Sequence, residues 1–190
     1  AIAQNKKIDS KVILETKLSC RAILVDDENV WMGMDKGRYG FYDKKKDTTI
    51  IKEIQSVVRT TEFRSIAGTK EAIFILAVGN PAMLIRIDKK TLEETVVYKE
   101  EHEKVFYDSM QFVDDLNGFA MGDPIENCLA VIKTNDGGKT WQKVNCDVLP
   151  KVSEGEAAFA TSNTNLTVKE KSIFMVSGGK KSRVFVKKIE

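Results

Sequence analysis

The apolar residues of this chain fall in short β-branched and aromatic runs, and a unit of such runs recurs along it. The spacing is about 40–50 residues, the period expected when small sheets are repeated side by side. First members lie at 21–25, 64–68, 109–113 and 156–161. Each is followed by a polar turn: Asp26-Asp27-Glu28-Asn29, Thr69-Lys70-Glu71, Asp114-Asp115-Leu116-Asn117-Gly118, and a longer one around Asn163-Thr164-Asn165. Second members at 30–34, 72–78, 119–121 and 172–176 run into loops carrying Gly or Pro, namely Gly37, Gly79 to Pro81, Gly122 to Pro124, and Gly178-Gly179. Third members are 39–42, 83–87, 129–133 and 183–186; fourth members are 49–54, 95–98 and 140–144, and the last unit lacks one. Helical periodicity is weak throughout, so the chain reads as all-β.

Four-strand units repeated at this period predict a β-propeller of four-stranded antiparallel blades, occupying 11–190 with units near 19–58, 59–104, 105–150 and 151–190. About four blades are present, near the lower limit for a ring, so the chain is either a small closed propeller or one piece of a larger one. The segment Lys11-Val12-Ile13-Leu14-Glu15 has the look of Ile50-Ile51-Lys52-Glu53-Ile54. It is expected to pair beside 183–186, with residues 11–16 completing the last blade and removing its open edge.

One turn carries more detail. Thr134-Asn135-Asp136-Gly137-Gly138-Lys139-Thr140-Trp141 fits [Ser/Thr]-x-Asp-x-Gly-x-Thr-Trp, the Asp-box pattern. Asp136 is placed to accept from the backbone N–H groups of its own turn, and the two glycines supply positive φ. Thr134, Asp136, Gly138, Thr140 and Trp141 are therefore structural, with Trp141 packed under the turn. Asp43-Lys44-Lys45-Lys46 and Asp88-Lys89-Lys90 keep the Asp but not the Gly or Trp.

The ordered series Ser19-x-Arg21-Ala22, Phe63-Arg64-Ser65, Phe106-Tyr107-Asp108-Ser109-Met110, Gly122-Asp123-Pro124, the Asp-box, Leu149-Pro150, Gly155-Glu156-Ala157-Ala158-Phe159-Ala160 and Ser182-Arg183-Val184-Phe185 spans about residues 19–186. It resembles bacterial BNR/Asp-box propeller proteins, often labelled "oxidoreductase" and likened to the photosystem II assembly factor. The resemblance implies a propeller and an assembly or binding role. The redox label has no support in the residues: there is no Gly-x-Gly-x-x-Gly, no Cys-x-x-Cys and no flavin or haem motif, so no cofactor is expected.

Composition narrows the partners. The 190 residues are 42% hydrophobic, enough for a core, and 30 basic residues nearly cancel 28 acidic ones. No basic run is interleaved with aromatics, which argues against nucleic acid. No apolar stretch approaches the roughly 20 residues of a membrane span. Ala1-Ile2-Ala3 has the A-x-A form cut by signal peptidase, so residues 1–10 read as the remnant of an export signal or a linker, and the protein as exported, periplasmic or extracellular. Export permits disulfides, and Cys128 and Cys146 flank the turn at Gly137 symmetrically, leaving Cys20 free. The lone His102 sits in a charged loop and no metal site is expected.

In a propeller the first strands line the channel, and the loops entering them form one mouth. That places Arg21, Arg64, Asp108, Ser109, Asp123, Glu154, Glu156 and Arg183 together as candidate ligand-binding residues, the arginines as fork donors to an anion. The alternative is that these acids and arginines pair with one another and hold the blades. The favoured function is a non-catalytic binding or assembly scaffold for a protein, a polar small ligand or a glycan. The rival is a sialidase-like glycoside hydrolase using Asp108 and Glu156, with Tyr107 as nucleophile, although Phe63-Arg64-Ser65-Ile66 departs from the sialidase Phe-Arg-Ile-Pro.

Overall fold

The computed structural model describes residues 9–159 and 163–189 and is all-β, with four antiparallel sheets following one another along the chain. The first holds β1 (Cys20–Val25), β2 (Asn29–Met34), β3 (Arg38–Asp43) and β4 (Thr48–Glu53), paired in that order. The second holds β5 (Phe63–Gly68), β6 (Ala72–Ala77), β7 (Ala82–Asp88) and β8 (Glu94–Glu100) in the same order. The third repeats it with β9 (Tyr107–Phe112), β10 (Gly118–Pro124), β11 (Leu129–Thr134) and β12 (Gln142–Lys143). Successive sheets pack through their first strands, β1 on β5 and β5 on β9. This is the β-propeller architecture.

The alternation of side chains explains the core. In β1, Ala22 and Leu24 turn toward the second sheet and meet a cluster with Trp31, Phe41, Phe63 and Ile66. The second sheet has neighbours on both sides, so every residue of β6 is buried. Phe74 and Leu76 pack with Tyr107, Met110 and Trp141 toward the third sheet, while Ile73 and Ile75 join the cluster facing the first. A strand covered on both faces must be apolar at every position, as Ala-Ile-Phe-Ile-Leu-Ala is.

The last sheet departs from the pattern. β13 (Glu156–Ala157) and β14 (Leu166–Lys169) lie along one edge of β15 (Ser172–Gly179), and β16 (Arg183–Lys188) along the other. The expected first strand at 156–161 is thus split: it pairs only at Glu156 and Ala157, residues 160 and 161 lie outside the described residues, and Leu166–Lys169 resumes it. The signal for β14 is the alternation Leu166-Thr167-Val168-Lys169, closed by Glu170 and Lys171 at positive φ.

The N-terminal segment also departs from expectation. No strand is assigned to residues 11–15, and they do not pair with β16. Instead the Ile13 carbonyl accepts from the Thr49 hydroxyl at 2.5 Å, and the Lys11 ammonium pairs with Asp47 and lies over the Tyr42 ring. These partners belong to the first sheet and the β3–β4 turn. Lys11 finds its counter-charge there, next in the chain, whereas β16 ends in Lys187 and Lys188. The Ala1-Ile2-Ala3 signal lies outside the described residues. Cys128 and Cys146 are joined in a disulfide and Cys20 is free.

Candidate functional site

At one end of the sheets the hairpin turns satisfy themselves. Asp136 accepts from the Thr140 backbone N–H at 3.0 Å and from the Thr134 and Thr140 hydroxyls at 2.8 and 2.6 Å, while Thr134 accepts from the Gly138 N–H at 3.0 Å. Gly137 and Gly138 take φ of 75° and 77°. A Cβ on Gly138 would sit 2.3 Å from the Phe74 ring, so this turn presses directly on the core. Trp141 is buried beneath it, edge-on to Phe112. Burial acts to raise the Asp136 carboxyl, but the threonine hydrogen bonds outweigh it and hold the group at about 2. Asp43 accepts from the Lys45 and Lys46 N–H groups, and Asp88 from those of Lys90 and Thr91. The two turns without Gly and Trp therefore keep the same Asp cap.

The other end is where the first strands begin and the second strands finish. Glu62, just before β5, bridges two of the expected residues: Arg21 Nε lies 3.0 Å from one carboxylate oxygen and an Arg64 terminal nitrogen 2.9 Å from the other. The Arg64 guanidinium also lies over the Phe106 ring at 5.8 Å. On β10, Gly122 permits the bulge that places Asp123, because a Cβ there would meet the Phe106 carbonyl oxygen at 2.1 Å. Asp123 then accepts the Ala158 N–H at 2.8 Å, tying the third sheet to the last.

Between these groups lies Asp108. It is 1% exposed, and neither carboxylate oxygen has a hydrogen-bond partner among the described residues. Burial first, and the Asp123 charge second, raise its carboxyl to about 8 against the opposing pull of Arg64. Asp108 is therefore largely protonated near neutral pH. The neighbouring Ser109 hydroxyl and Arg64 Nε are likewise buried without partners. Unpaired buried polar atoms are rare because each forfeits its hydration; among the described residues four of the eight fall on these three side chains, the others on Tyr39, Arg86, Trp141 and Asn165.

Glu156 and Arg183 form a closed unit. Arg183 donates through Nε at 2.8 Å and a terminal nitrogen at 2.7 Å to the two Glu156 oxygens, and a second bond from that nitrogen reaches the Lys151 carbonyl at 2.7 Å. The Ser153 N–H and Ser177 hydroxyl complete the carboxylate's shell, and the Arg183 bonds foremost hold Glu156 at about 2. Glu154 sits apart, near Lys180. The structure thus gathers Arg21, Arg64, Asp108, Ser109 and Asp123, and engages Glu156 and Arg183 with each other.

Two residues were missed in the sequence. Glu62 carried no signal beyond its charge. Asn163, read as a turn residue, reaches across the first strands. Its side-chain oxygen accepts from the Ser65 hydroxyl at 2.6 Å and the Met110 N–H at 3.0 Å, and its amide nitrogen donates to the Ile66 carbonyl at 3.0 Å. It locks the second, third and last sheets together at the channel. Among the described residues no cluster of His, Cys, Asp and Glu is arranged to hold a metal, and no helix is long and apolar enough to cross a membrane.

No family model and no curated protein matches the chain. Solved structures do. The computationally designed Ika4 protein is matched with a TM-score of 0.62 at 13% identity, over 96% of this chain and 100% of that one. YCF48 bound to a D1 peptide gives 0.60 at 13% identity, over 91% of this chain and 56% of that one. The WD40 repeats of RRP9 give 0.58 at 8% identity, over 92% and 53%. The chain spans about half the length of the latter two, and the likeness defines the fold.

Proposed function

We propose that the protein is an exported, non-catalytic binding scaffold that recognises a protein partner at the mouth formed by Arg21, Arg64, Asp108, Ser109 and Asp123. The observation that carries this reading is the set of buried, unpartnered polar atoms on Asp108, Ser109 and Arg64. Such atoms are costly in isolation and gain most from an incoming group that pairs with them. The protonated Asp108 can donate as well as accept, and Arg21, half exposed beside Glu62, offers the charged rim. Similarity in fold to YCF48, solved with a peptide bound, supports a peptide or protein as the ligand class.

The glycosidase reading loses two of its three groups. The Tyr107 hydroxyl is buried and donates to Glu100 at 2.8 Å, and burial pushes the phenol far above its ordinary value, so it is no nucleophile. Glu156 is held ionised by Arg183 and has no proton to give. Asp108, with its raised carboxyl, is the one group that favours acid chemistry. The test is capture from native extract by the wild type, Arg64→Ala and Asp108→Asn, together with chromogenic glycosides. A partner retained by the wild type and lost with Arg64→Ala is expected, with no turnover. Turnover abolished by Asp108→Asn would overturn the scaffold reading.

A further inference from the structure

The connection from the first sheet to the second, residues 54–62, runs across the mouth end and is held in one shape. The buried Ile54 donates its N–H to the Gly37 carbonyl at 2.9 Å, Gly37 donates to the Thr61 carbonyl at 2.8 Å, and Thr61 donates to the Val58 carbonyl at 2.9 Å. Gly37 takes φ of 65°, and a Cβ there would sit 3.0 Å from a Val57 methyl, so the loop is pressed against the β2–β3 turn. Held this way, Val58 is 66% exposed. It borders a groove of about 550 Å³, together with Val57 of the loop and Pro81, Met83 and Val96 of the second sheet and its 79–81 loop. Glu62 lines the groove where it meets the mouth.

The rim of this groove is cationic. Glu53, at the end of β4, accepts from a terminal nitrogen of Arg38 at 2.9 Å and from Arg59 Nε at 3.3 Å. Glu62 serves Arg21 and Arg64 in the same way. The loop is therefore bracketed by two Arg–Glu–Arg triads, each with one more positive group than negative. Lys99 on the far wall is matched by Glu101 and leaves that excess unchanged. Exposed ion pairs add little to stability, so holding the loop gives no reason for two arginines on each acid. An exposed apolar groove edged by surplus arginines has the complementary make-up of a contact surface.

We propose that this groove seats the partner recognised at the mouth, and that it takes an extended, acidic segment of protein. An aliphatic side chain enters between Val58 and Val96, and neighbouring Asp or Glu carboxylates replace Glu62 and Glu53 on the arginines. The inference rests on the reading of the mouth as the binding end and adds the chemistry of the ligand. In an extended segment successive side chains alternate in direction, so an apolar residue lowered into the groove turns its acidic neighbours toward the rim. Covering the exposed valines supplies affinity, and carboxylates on guanidinium forks supply selectivity. In the free protein Glu62 and Glu53 hold the places of the incoming acids.

Fluorescence anisotropy with a defined probe tests this. The probe is a fluorescein-labelled octapeptide, amidated at its C-terminus, in which leucine alternates with glutamate; matched peptides carry glutamine or lysine for glutamate, or serine for leucine. The leucine–glutamate peptide is expected to bind about tenfold more tightly than each of the others. Val58→Asp, which alters a side chain exposed in the free protein, is expected to weaken it by about tenfold while leaving the β-sheet circular dichroism intact. Glu62→Gln is expected to tighten it by about threefold, because an internal competitor is gone. Weaker or unchanged binding by Glu62→Gln would mean that the triad only holds the loop, and would overturn the displacement. Equal binding of the glutamate and glutamine peptides, preference for lysine, or binding of none would overturn the acidic segment. Capture of a partner from native extract that is lost with Arg64→Ala would still uphold the mouth in that case, so the two readings fail separately.

Discussion

The two ends of the sheets treat their acids in opposite ways. At the turn end Asp43, Asp88 and Asp136 each accept N–H groups of their own hairpins, and all three carboxyls lie below their ordinary range. At the mouth Asp108 is buried with no partner and its carboxyl is raised to about 8. Both are Asp residues at strand ends, yet one kind stabilises the chain alone and the other costs it. The cost kept at Asp108, beside unpartnered Ser109 and Arg64 atoms, is the observation behind the proposed binding mouth.

That contrast is sharpened by measurements of graded size. The largest effect lies under the turn end: Phe74→Ala, which empties the space below Gly138 and Trp141, should cost about 3–5 kcal/mol in denaturant unfolding. A loss below about 1 kcal/mol would mean that the turn and core are not joined as described. Next comes Asp108→Asn, with the opposite sign. Unfolded, Asp108 releases its proton near 4; folded, it keeps it to about 8, so wild-type stability falls as pH rises between those values. The variant should match the wild type near pH 4 and exceed it by on the order of 2–4 kcal/mol at pH 8, because the buried charge is gone. A flat difference across that window would contradict the raised carboxyl.

Asp136→Ala should destabilise by on the order of 1–3 kcal/mol, since several turn donors lose their acceptor. An unchanged melting temperature would break the comparison from the turn side. The smallest effect is expected at Asp88→Ala, a half-buried cap without the tryptophan beneath it, as a fall in melting temperature smaller than that at Asp136→Ala by the same assay. If it equals the loss at Asp136, the buried threonine and glycine contacts of the latter contribute nothing.

The fold was legible because its determinants are local and repeated. Alternating runs, the Gly and Pro loops after the second strands, and the Asp turns all sit within a few residues of what they control. The placement of Arg21, Arg64, Asp108 and Asp123 at one end was legible, since strand order alone brings them there. Partner choice was not. Glu62 joins Arg21 to Arg64 and Arg183 closes on Glu156 through side-chain directions that no spacing encodes. Asn163 acts across 97 or more positions on Ser65 and Ile66, a contact that exists only after three sheets have assembled. The N-terminal segment was misplaced for a related reason. Its apolar pattern suits any outer position, and Lys11 settles beside Asp47 in the adjoining sheet.

Photo-cross-linking from both ends tests the central claim most directly. A benzophenone side chain is placed at Arg21 on the mouth and, separately, at Lys139 on the opposite turn, and each protein is irradiated in native extract. We predict a discrete protein adduct from position 21, diminished at least tenfold by Arg64→Ala, and none from position 139. Adducts from position 139 alone, or equal labelling from both ends, would contradict a binding mouth.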